Sequence, residues 1–470
     1  MIADGRRRDI VPVEDVDVIP LGERQAACVI HDAHSRRSLR GGSTALPRSA
    51  SGIAFWILLG ALGIGTAGEL ADFVVRADPA TAWQKRSERS VAGAREIQAE
   101  LVSQTWQGAA WRHELRVVVP ARVAPVDPAV LIIGGDASGG AVDERGLADE
   151  TGAVTAYLRS VPNQPLFGAS EDALIAYSFE QYLRTRDADW PLLFPMTKAA
   201  VKAIDAVTDL VGDGAPRKFV VTGASKRGWT TWLAAVADPR VVAIAPMVFD
   251  NLDFGPQMKN QMAVWGRYSE MLGDYTERSM QAMIGTERGR ALVSMVDPFA
   301  YRATLARVSK LVVNGSNDPY WDVGAVDLYW NDLGGPKALV CVPNAGHEAG
   351  SDSRSEAALV ELVRRTAAGR AMPELSASDG GGQRPTIHSD ETPQRVLVWR
   401  AESGSRDLRS VRWRATEARR EGDRFVADLV PAADRYTAWF AEAEYPSVGR
   451  SFKLSTPVRI LPLQAVERGE

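Results

Sequence analysis

Cysteine and histidine are scarce in this 470-residue chain, which has two cysteines and five histidines. The cysteines, Cys28 and Cys341, lie in very different segments, so the sequence predicts neither a disulfide framework nor a cysteine-based metal site. Basic residues are not in excess either, since the formal net charge is −4. Nucleic-acid-binding domains, in contrast, carry a basic surface. We therefore expect no nucleic-acid partner, no metal and no cofactor.

Charge is absent from one run near the N-terminus, Ile53–Gly68. Residues 1–50 are polar, are expected to be disordered, and carry four arginines between positions 36 and 48. A basic flank before an uncharged apolar run predicts a signal peptide or membrane anchor at residues 51–68. The folded part is then expected to begin near Leu70 and to be secreted, periplasmic or membrane-anchored. A buried core helix is the alternative interpretation of the apolar run.

Short apolar runs alternate with segments of helical periodicity through the middle of the chain. Strands are predicted at residues 111–120, 129–133, 154–161, 219–221, 241–248, 310–314 and 338–342. Strands that alternate with helices predict an α/β fold with a mostly parallel central sheet, here over residues 70–372. A helical insert is expected at about 250–306.

The composition changes after this region. Residues 373–386 are rich in serine and glycine and are predicted to be a linker. Short β-like runs then follow at close intervals, so residues 387–470 are predicted to form a small all-β, sandwich-like domain.

A strand, a sharp turn and a helix meet around Ser225. An apolar strand leads to Gly223, and the following residues place apolar side chains at helical spacing. This is the pattern of a nucleophile elbow, in which the serine hydroxyl is exposed at the carboxyl end of the sheet. The usual elbow reads Gly-x-Ser-x-Gly, whereas here Arg227 stands second after the serine and Gly228 follows. The alternative is a serine that only caps the helix.

A serine nucleophile needs a base that takes its proton and an acid that orients the base. His347 directly follows the last predicted strand, whereas the other histidines precede the serine or lie beyond the linker. In α/β-hydrolases the chain order is Ser, acid, His. Asp318 is the preferred acid because it lies at the turn just past strand 310–314, and Asp322 is the alternative.

An oxyanion hole is expected from backbone N–H groups on two sides of the serine. One donor is the N–H of Lys226, and the second comes from the glycine-rich turn that contains Gly135 and Asp136. Four residues are candidate substrate-binding residues: Arg227, Trp190, Trp265 and Trp321.

Two charged pairs near the elbow have open interpretations. Lys226 and Arg227 are either a cationic wall for an acidic substrate group or a solvated helix start. Glu171 and Asp172 either bind a substrate amine or begin a helix, where acidic residues are favoured.

Several longer motifs resemble the PhoPQ-activated pathogenicity-related protein family. They are Glu171–Phe179, Trp190–Ala200, Gly223–Leu233, Asp238–Val241 and Val342–His347. The resemblance extends from about Leu70 to the C-terminal end and includes Arg406–Arg409 and Leu454–Pro462. It implies an α/β-hydrolase fold, with Ser225, Asp318 and His347 as the triad.

The expected function is therefore that of an exported serine hydrolase acting on an ester or amide. The substrate would be a small molecule, a peptide or a carbohydrate ester. Two alternatives stay open, namely an aminopeptidase-like or other peptidase that captures a substrate terminus and a non-enzymatic binding protein on a hydrolase scaffold.

Overall fold

Most strands of the described residues belong to one β-sheet. The computed structural model describes residues 67–121, 127–136, 142–378 and 384–461. The first nine strands are β1 (Ala82–Val91), β2 (Ala94–Trp106), β3 (Ala109–Val119), β4 (Ala129–Ile133), β5 (Thr155–Leu158), β6 (Phe219–Ala224), β7 (Val241–Met247), β8 (Ser309–Gly315) and β9 (Lys337–Val342).

The sheet is mixed rather than mostly parallel. From one edge its strands follow the order β1-β2-β3-β5-β4-β6-β7-β8-β9, and only the six from β5 to β9 are parallel. Strands β1, β2, β3 and β5 pair antiparallel. The prediction of a mostly parallel sheet is therefore wrong. The physical reason is that antiparallel neighbours need no crossover helix, and tight turns with positive φ at both central residues join β1 to β2 at Ala92–Gly93 and β2 to β3 at Gln107–Gly108.

Helices cover both faces of the parallel strands. They are α1 (Ala67–Val75), α2 (Glu144–Thr151), α3 (Glu171–Thr185), α4 (Leu193–Val211), α5 (Lys226–Ala237), α6 (Phe254–Trp265), α7 (Gly273–Thr276), α8 (Met280–Met283), α9 (Glu287–Val296), α10 (Arg302–Leu305) and α11 (Ser353–Ala367). Short 3₁₀ helices lie at Glu270–Leu272, Pro298–Tyr301, Ala325–Leu328 and Ala349–Ser351.

Two apolar cores lie on opposite faces of the sheet. Helices α1, α4 and α5 pack on one face, and α2 and α11 pack on the other. Successive side chains of a strand point to opposite faces, so Val221 of β6 lies in the first core and Val220 in the second. Helices α6 to α10 lie between β7 and β8 in the chain, in the region expected to be a helical insert.

The C-terminal part is all-β, but it is not a separate sandwich. Its strands are β10 (Leu375–Ser378), β11 (Thr386–Ser389), β12 (Arg395–Ser403), β13 (Arg414–Glu417), β14 (Arg419–Glu421), β15 (Arg424–Val426), β16 (Tyr436–Tyr445), β17 (Phe452–Ser455) and β18 (Arg459–Leu461).

Strands of the C-terminal part continue the main sheet beyond β9. Ser455 of β17 pairs with Leu339 of β9, and β16, β12 and β13 follow outwards while β18 pairs with β16. Strands β10, β11, β15 and β14 form a second, antiparallel sheet. The expected linker at 373–386 contains β10, and its residues 379–383 lie outside the described residues.

The N-terminal predictions fall largely outside the described residues. The expected disordered extension (1–50) lies entirely outside them, as does the apolar segment (51–68) up to residue 66. Helix α1 begins at Ala67 and buries Leu70, Phe73 and Val74. Within the described ranges, no helix has both the length and the apolar character needed to cross a bilayer.

Candidate active site

Ser225 lies at a sharp turn between β6 and α5. Its backbone has φ 57° and ψ −127°, a strained conformation for a residue with a side chain. The Ser225 N–H donates to the carbonyl of Met247 on the neighbouring strand at 2.8 Å, which holds the turn against the sheet. The serine is therefore lifted out of both elements at the carboxyl end of the parallel strands, as in a nucleophile elbow.

Two glycines make room for this turn. A Cβ on Gly223 would lie 2.8 Å from the carbonyl oxygen of Arg227, and a Cβ on Gly228 would lie 2.9 Å from that of Met247. Contacts this short are not tolerated, so α5 approaches the sheet closely only because both residues lack a side chain. Gly228, which stands one position later than the second glycine of the usual elbow, thus allows α5 to approach the sheet closely. The side chain of Arg227 extends away from this contact.

The three residues predicted as a triad lie in one hydrogen-bonded row. His347 Nε2 lies 2.9 Å from Ser225 Oγ, and His347 Nδ1 lies 2.8 Å from Asp318 Oδ2. Asp318 follows β8 and His347 follows β9, so neighbouring parallel strands deliver both side chains to the same edge of the sheet. The side chain of Asp318 is 4% exposed and that of His347 is 25% exposed, so the acid is covered while the imidazole faces the site.

An aromatic ring supports the imidazole from the side. Tyr320 stacks on His347 with a centroid distance of 4.2 Å and an interplanar angle of 28°. The Tyr320 N–H also donates to Oδ1 of Asp318 at 2.8 Å. One residue therefore contacts both members of the His–Asp pair and restricts the rotation of each.

The turn after β4 faces the serine. Gly135, Asp136 and Ser225 line a common cavity of about 360 Å³, whose mixed lining also includes Ile132 and Arg227. The N–H of Lys226 lies in the first turn of α5, where helix N–H groups have no acceptor within the helix. The residues predicted to supply the oxyanion donors therefore lie on two different elements next to the serine, the turn after β4 and the start of α5.

The cations beside the serine are paired within the chain. The Arg227 guanidinium donates to both carboxylate oxygens of Glu171, at 2.7 and 2.6 Å, and its Nε–H donates to the carbonyl of Val161 at 2.5 Å. Lys226 Nζ lies 2.9 Å from Glu171 and 3.1 Å from Asp172. The Arg227 guanidinium is therefore engaged by a bidentate ion pair, and Arg227 also lines the cavity that contains Ser225, so its substrate-binding role stays a prediction.

The electrostatics of Glu171 follow from these contacts. Burial by itself would raise the pKa of its carboxyl, but the hydrogen bonds from Arg227 and the charges of Arg227 and Lys226 outweigh burial and lower the pKa to about 2. Glu171 and Asp172 also begin α3. Both carboxylates are thus held by cations of the chain and do not form an open amine site.

An apolar pocket opens on the other side of the serine. It has a volume of about 100 Å³, and most of its walls come from the helices between β7 and β8. Its apolar lining includes Phe254, Met258, Leu272, Met283, Ile284 and Leu292. Lys226, Asp172 and Tyr275 form its polar edge, where the Tyr275 hydroxyl donates to Asp172 at 3.0 Å.

The three tryptophans predicted to bind substrate have different locations. Trp321 lines the apolar pocket and is 7% exposed. Trp190 packs in an aromatic cluster with Trp106, Phe167 and Tyr177, and it is not among the residues that line the pocket. Trp265 is also outside the pocket lining, and its ring lies under the guanidinium of Arg409 at 4.1 Å. Trp321 is therefore the one of the three that lines this pocket, while the substrate-binding role of Trp190 and Trp265 stays a prediction.

Asp322, the alternative acid, has other partners. Its Oδ2 accepts from Asn260 Nδ2 at 3.1 Å and from the N–H of Gly324 at 3.3 Å. Burial raises the pKa of this carboxyl, and the hydrogen bond from Asn260 opposes the rise. The geometry therefore brings Asp318, and not Asp322, to His347.

The elbow after β6, the acid after β8 and the histidine after β9 are the arrangement of an α/β-hydrolase. Residues 70–409 match the family described as PhoPQ-activated pathogenicity-related protein. The chain belongs to this family. The match ends at residue 409, so the resemblance that the sequence suggested for Leu454–Pro462 lies beyond it.

One curated protein is similar to this chain in sequence. Autocrine proliferation repressor protein A of Dictyostelium discoideum is 35% identical over 273 residues, which are 53% of this chain and 54% of that protein. The chain thus spans about half the length of this curated relative.

Two solved esterases have some structural similarity to this chain. Acetyl xylan esterase 1 from Thermoanaerobacterium is 14% identical, with a TM-score of 0.45, over 64% of this chain and 92% of that one. A glucuronoyl esterase from Solibacter usitatus is 14% identical, with a TM-score of 0.37, over 63% and 91%. These values are too low to indicate a shared activity.

Sequence reasoning missed the ion pair and the aromatic support around the triad. The pairing of Arg227 with Glu171 joins residues 56 positions apart, and no local pattern signals it. For Tyr320 the sequence has a weak signal. It stands two residues after the predicted acid, and an aspartate carboxylate often accepts from the backbone N–H two residues later.

Proposed function

We propose that this protein is a serine hydrolase that cleaves an ester or amide through an acyl-enzyme formed on Ser225. The observation that carries the proposal is the continuous row from Ser225 Oγ through the imidazole of His347 to Asp318, with contacts of 2.9 and 2.8 Å. A serine that only capped α5 would not require these contacts with a histidine and an aspartate. The Ser225 hydroxyl in fact makes no cap hydrogen bond to the helix.

The proposed reaction uses the imidazole as a proton carrier. Ser225 Oγ attacks the substrate carbonyl carbon while His347 Nε2 accepts the hydroxyl proton. The imidazolium then gives this proton to the leaving alcohol or amine, and a water molecule repeats the sequence in reverse to release the acid and restore the serine. Asp318 accepts from Nδ1–H throughout, which orients the ring and stabilises its charged form.

The negative charge that develops on the carbonyl oxygen is assigned to backbone donors. The N–H of Lys226 and an N–H of Gly135 or Asp136 would donate to it, and the amino end of α5 favours negative charge at the same place. The loss of one such donor typically costs about 2.7–4 kcal/mol in the transition state.

The walls of the site favour a substrate with an apolar group beside the scissile bond. The pocket of about 100 Å³ next to Ser225 is small and lined mainly by aliphatic, aromatic and methionine side chains. The larger cavity at Gly135, of about 360 Å³, would receive the other part of the substrate. Capture of a peptide amino terminus is less favoured, because Glu171 and Asp172 are already paired with Lys226 and Arg227.

Labelling with a fluorophosphonate tests the nucleophile directly. We expect the wild-type protein to be labelled, Ser225→Ala to be unlabelled, and the control Ser87→Ala to behave as wild type, since Ser87 lies on β1 and its hydroxyl donates to Gln98 at 3.2 Å. Unchanged labelling of Ser225→Ala would refute the assignment. A wild-type protein that is folded and never labelled would favour the non-enzymatic binding protein.

A substrate panel then separates the hydrolase classes. We expect turnover of esters with short apolar acyl groups to exceed turnover of amino-terminal peptide amides, and a carbohydrate acetate ester should be included. Preferential cleavage of peptides would favour the peptidase.

The location of the protein is proposed to be extracytoplasmic. The support is the uncharged run Ile53–Gly68 behind a basic flank. Cell fractionation with N-terminal sequencing tests this, and a soluble cytoplasmic protein that still begins at Met1 would contradict it.

A further inference from the structure

The residue before the proposed acid reaches out of the catalytic part of the chain. Asn317 immediately precedes Asp318, and its Nδ2 donates to the carbonyls of Leu408, Arg409 and Val411, at 3.4, 3.2 and 2.8 Å. These carbonyls belong to the C-terminal part, between β12 and β13. One amide group thus fixes the acid loop to three points of another segment.

The loop of the proposed base makes a matching contact. Asn344 lies three residues before His347, its Nδ2 donates to the carbonyl of Trp413 at 3.1 Å, and its Oδ1 accepts from the N–H of Trp413 at 2.7 Å. The Asn344 side chain therefore both donates to and accepts from the backbone of Trp413, as the backbone of a paired strand would. A two-point contact of this kind fixes orientation as well as distance.

Ser316 joins the two asparagines. Its hydroxyl accepts from the N–H of Asn344 at 2.8 Å and donates to Oδ1 of Asn317 at 2.6 Å. The amide of Asn317 consequently cannot rotate without losing a partner on each side. The acid loop, the base loop and the segment Leu408–Trp413 form one hydrogen-bonded network.

The segment Leu408–Trp413 is itself held firmly. Leu408 is 2% exposed and Trp413 is 1% exposed, and both lie in an apolar cluster. Within this cluster Trp413 packs on Phe440 of β16 with a ring distance of 5.2 Å. Because β16 belongs to the main sheet, the segment is anchored on the same framework that carries the triad.

We propose that the segment Leu408–Trp413 is a positioning element for the proposed triad, acting on Asp318 through Asn317 and on His347 through Asn344. The inference rests on the proposed function and adds a role for the C-terminal part, which becomes a structural component of the active site. The physical reason is that acid and base follow different strands, so an element that contacts both loops restricts their relative movement and helps to hold the 2.8 Å contact within the tolerance that catalysis requires.

The test needs variants that remove the side-chain contacts without straining the backbone. Asn317→Ala is suitable for the acid loop. Asn344 has φ 61°, where alanine would be strained, so Asn344→Gly removes its side chain and keeps the backbone conformation. Ser455→Ala is the matched control, because Ser455 is a buried polar residue that also joins the C-terminal part to the sheet, by accepting from the N–H of Cys341 at 3.1 Å.

Kinetics and proton NMR provide two independent readouts. We expect Asn317→Ala and Asn344→Gly to lower kcat by roughly 10–100-fold with KM nearly unchanged, because the misplaced triad affects the chemical step and not the pocket. The low-field resonance of His347 Nδ1–H, which reports its hydrogen bond to Asp318, should weaken or vanish in both variants. Ser455→Ala should lower the unfolding temperature while it keeps kcat and the resonance.

The outcomes separate this inference from the proposed function. If both asparagine variants keep kcat and the Nδ1–H resonance, the segment does not position the triad and the inference is wrong. The same holds if Ser455→Ala loses kcat and the resonance as much as they do, because the effect is then general destabilisation. If the wild-type protein has no turnover and is never labelled, the proposed function fails, but the resonance still tests the network in the folded protein. Should Asn317→Ala fail to fold, Asn317→Ser and Asn344→Gly carry the same comparison.

Discussion

The guanidinium of Arg227 lies where a side chain at position 135 would be. A Cβ built on Gly135 would be 2.5 Å from Arg227 Nη2 and 2.9 Å from its Cζ. Arg227 is in turn held by the bidentate ion pair with Glu171. The residue that departs from the usual elbow motif therefore supports the glycine turn proposed to bind the oxyanion.

The first prediction concerns this support. Arg227→Lys keeps the charge but loses the planar, bidentate contact, so we expect kcat to fall by about tenfold or more with a smaller change in KM. Steady-state kinetics on an ester measure this. Arg240→Lys is the control, since Arg240 forms comparable ion pairs with Asp238 and Asp205 at the far end of α5. Equal losses in the two variants, or none in Arg227→Lys, would contradict the role of Arg227.

The second prediction is a pH dependence of stability that is specific to Glu171. Its pKa is about 2 in the folded chain and about 4.3 in an unfolded one, so its ionised form stabilises the fold above about pH 4.3. That contribution is lost as the pH falls from about 4.3 towards 2. Glu171→Gln should therefore lower the free energy of unfolding at pH 6 by the order of 1 kcal/mol, allowing for solvent screening of a side chain that is 39% exposed, and by less at pH 3.

Denaturant unfolding of wild type and Glu171→Gln at the two pH values measures this difference. Glu287→Gln is the control, because Glu287 pairs with Arg186 and both side chains are mostly exposed. A difference that grows towards pH 3 would have the wrong sign and would refute the assignment of the lowered pKa to Glu171.

The candidate triad could be predicted from the sequence because its geometry is local to strand ends. Ser225, Asp318 and His347 each follow a short apolar run, and the carboxyl ends of parallel strands meet at one edge of a sheet. Such a run can be recognised in the sequence without knowing which strands pair with it. The order of the three residues in the chain then limited the choice further.

The antiparallel edges could not be predicted in the same way. Strand β1 is polar and almost wholly exposed, so its sequence lacks the alternation of apolar and polar residues that predicts a strand. Strand β2 is rich in alanine, glutamate and glutamine, which favour helices, and tertiary pairing with β1 and β3 overrides that preference. The contacts of Arg227 and Asn317 depend on residues 56 and 91 or more positions away, which only the folded chain brings together.

The third prediction tests the displaced glycine of the elbow. A Cβ at position 228 would lie 2.9 Å from the carbonyl oxygen of Met247, so Gly228→Ala should push α5 away from the sheet. We expect a loss of about 1–3 kcal/mol in the free energy of unfolding and slower fluorophosphonate labelling of Ser225. Gly255→Ala on α6 has open space at the same atom and should be neutral or stabilising by up to about 1 kcal/mol. Stability of Gly228→Ala equal to that of Gly255→Ala would show that the close approach is not required.

The last prediction decides between the two acids near the base. Asp318 Oδ2 lies 2.8 Å from His347 Nδ1, whereas Asp322 bonds Asn260 and the N–H of Gly324. Asp318→Asn should lower kcat strongly, by up to about 10⁴-fold, because an amide can stabilise the wrong tautomer of the imidazole and cannot stabilise the imidazolium. Asp322→Asn keeps its size and the contact with Gly324, so kcat should change by only a few-fold. Both variants are near-isosteric and should fold, which thermal unfolding checks, and kcat on an ester measures the outcome.

An inactive Asp322→Asn beside a nearly normal Asp318→Asn would reverse the assignment. Full activity in both, with His347→Ala inactive, would mean that the imidazole works without either carboxylate.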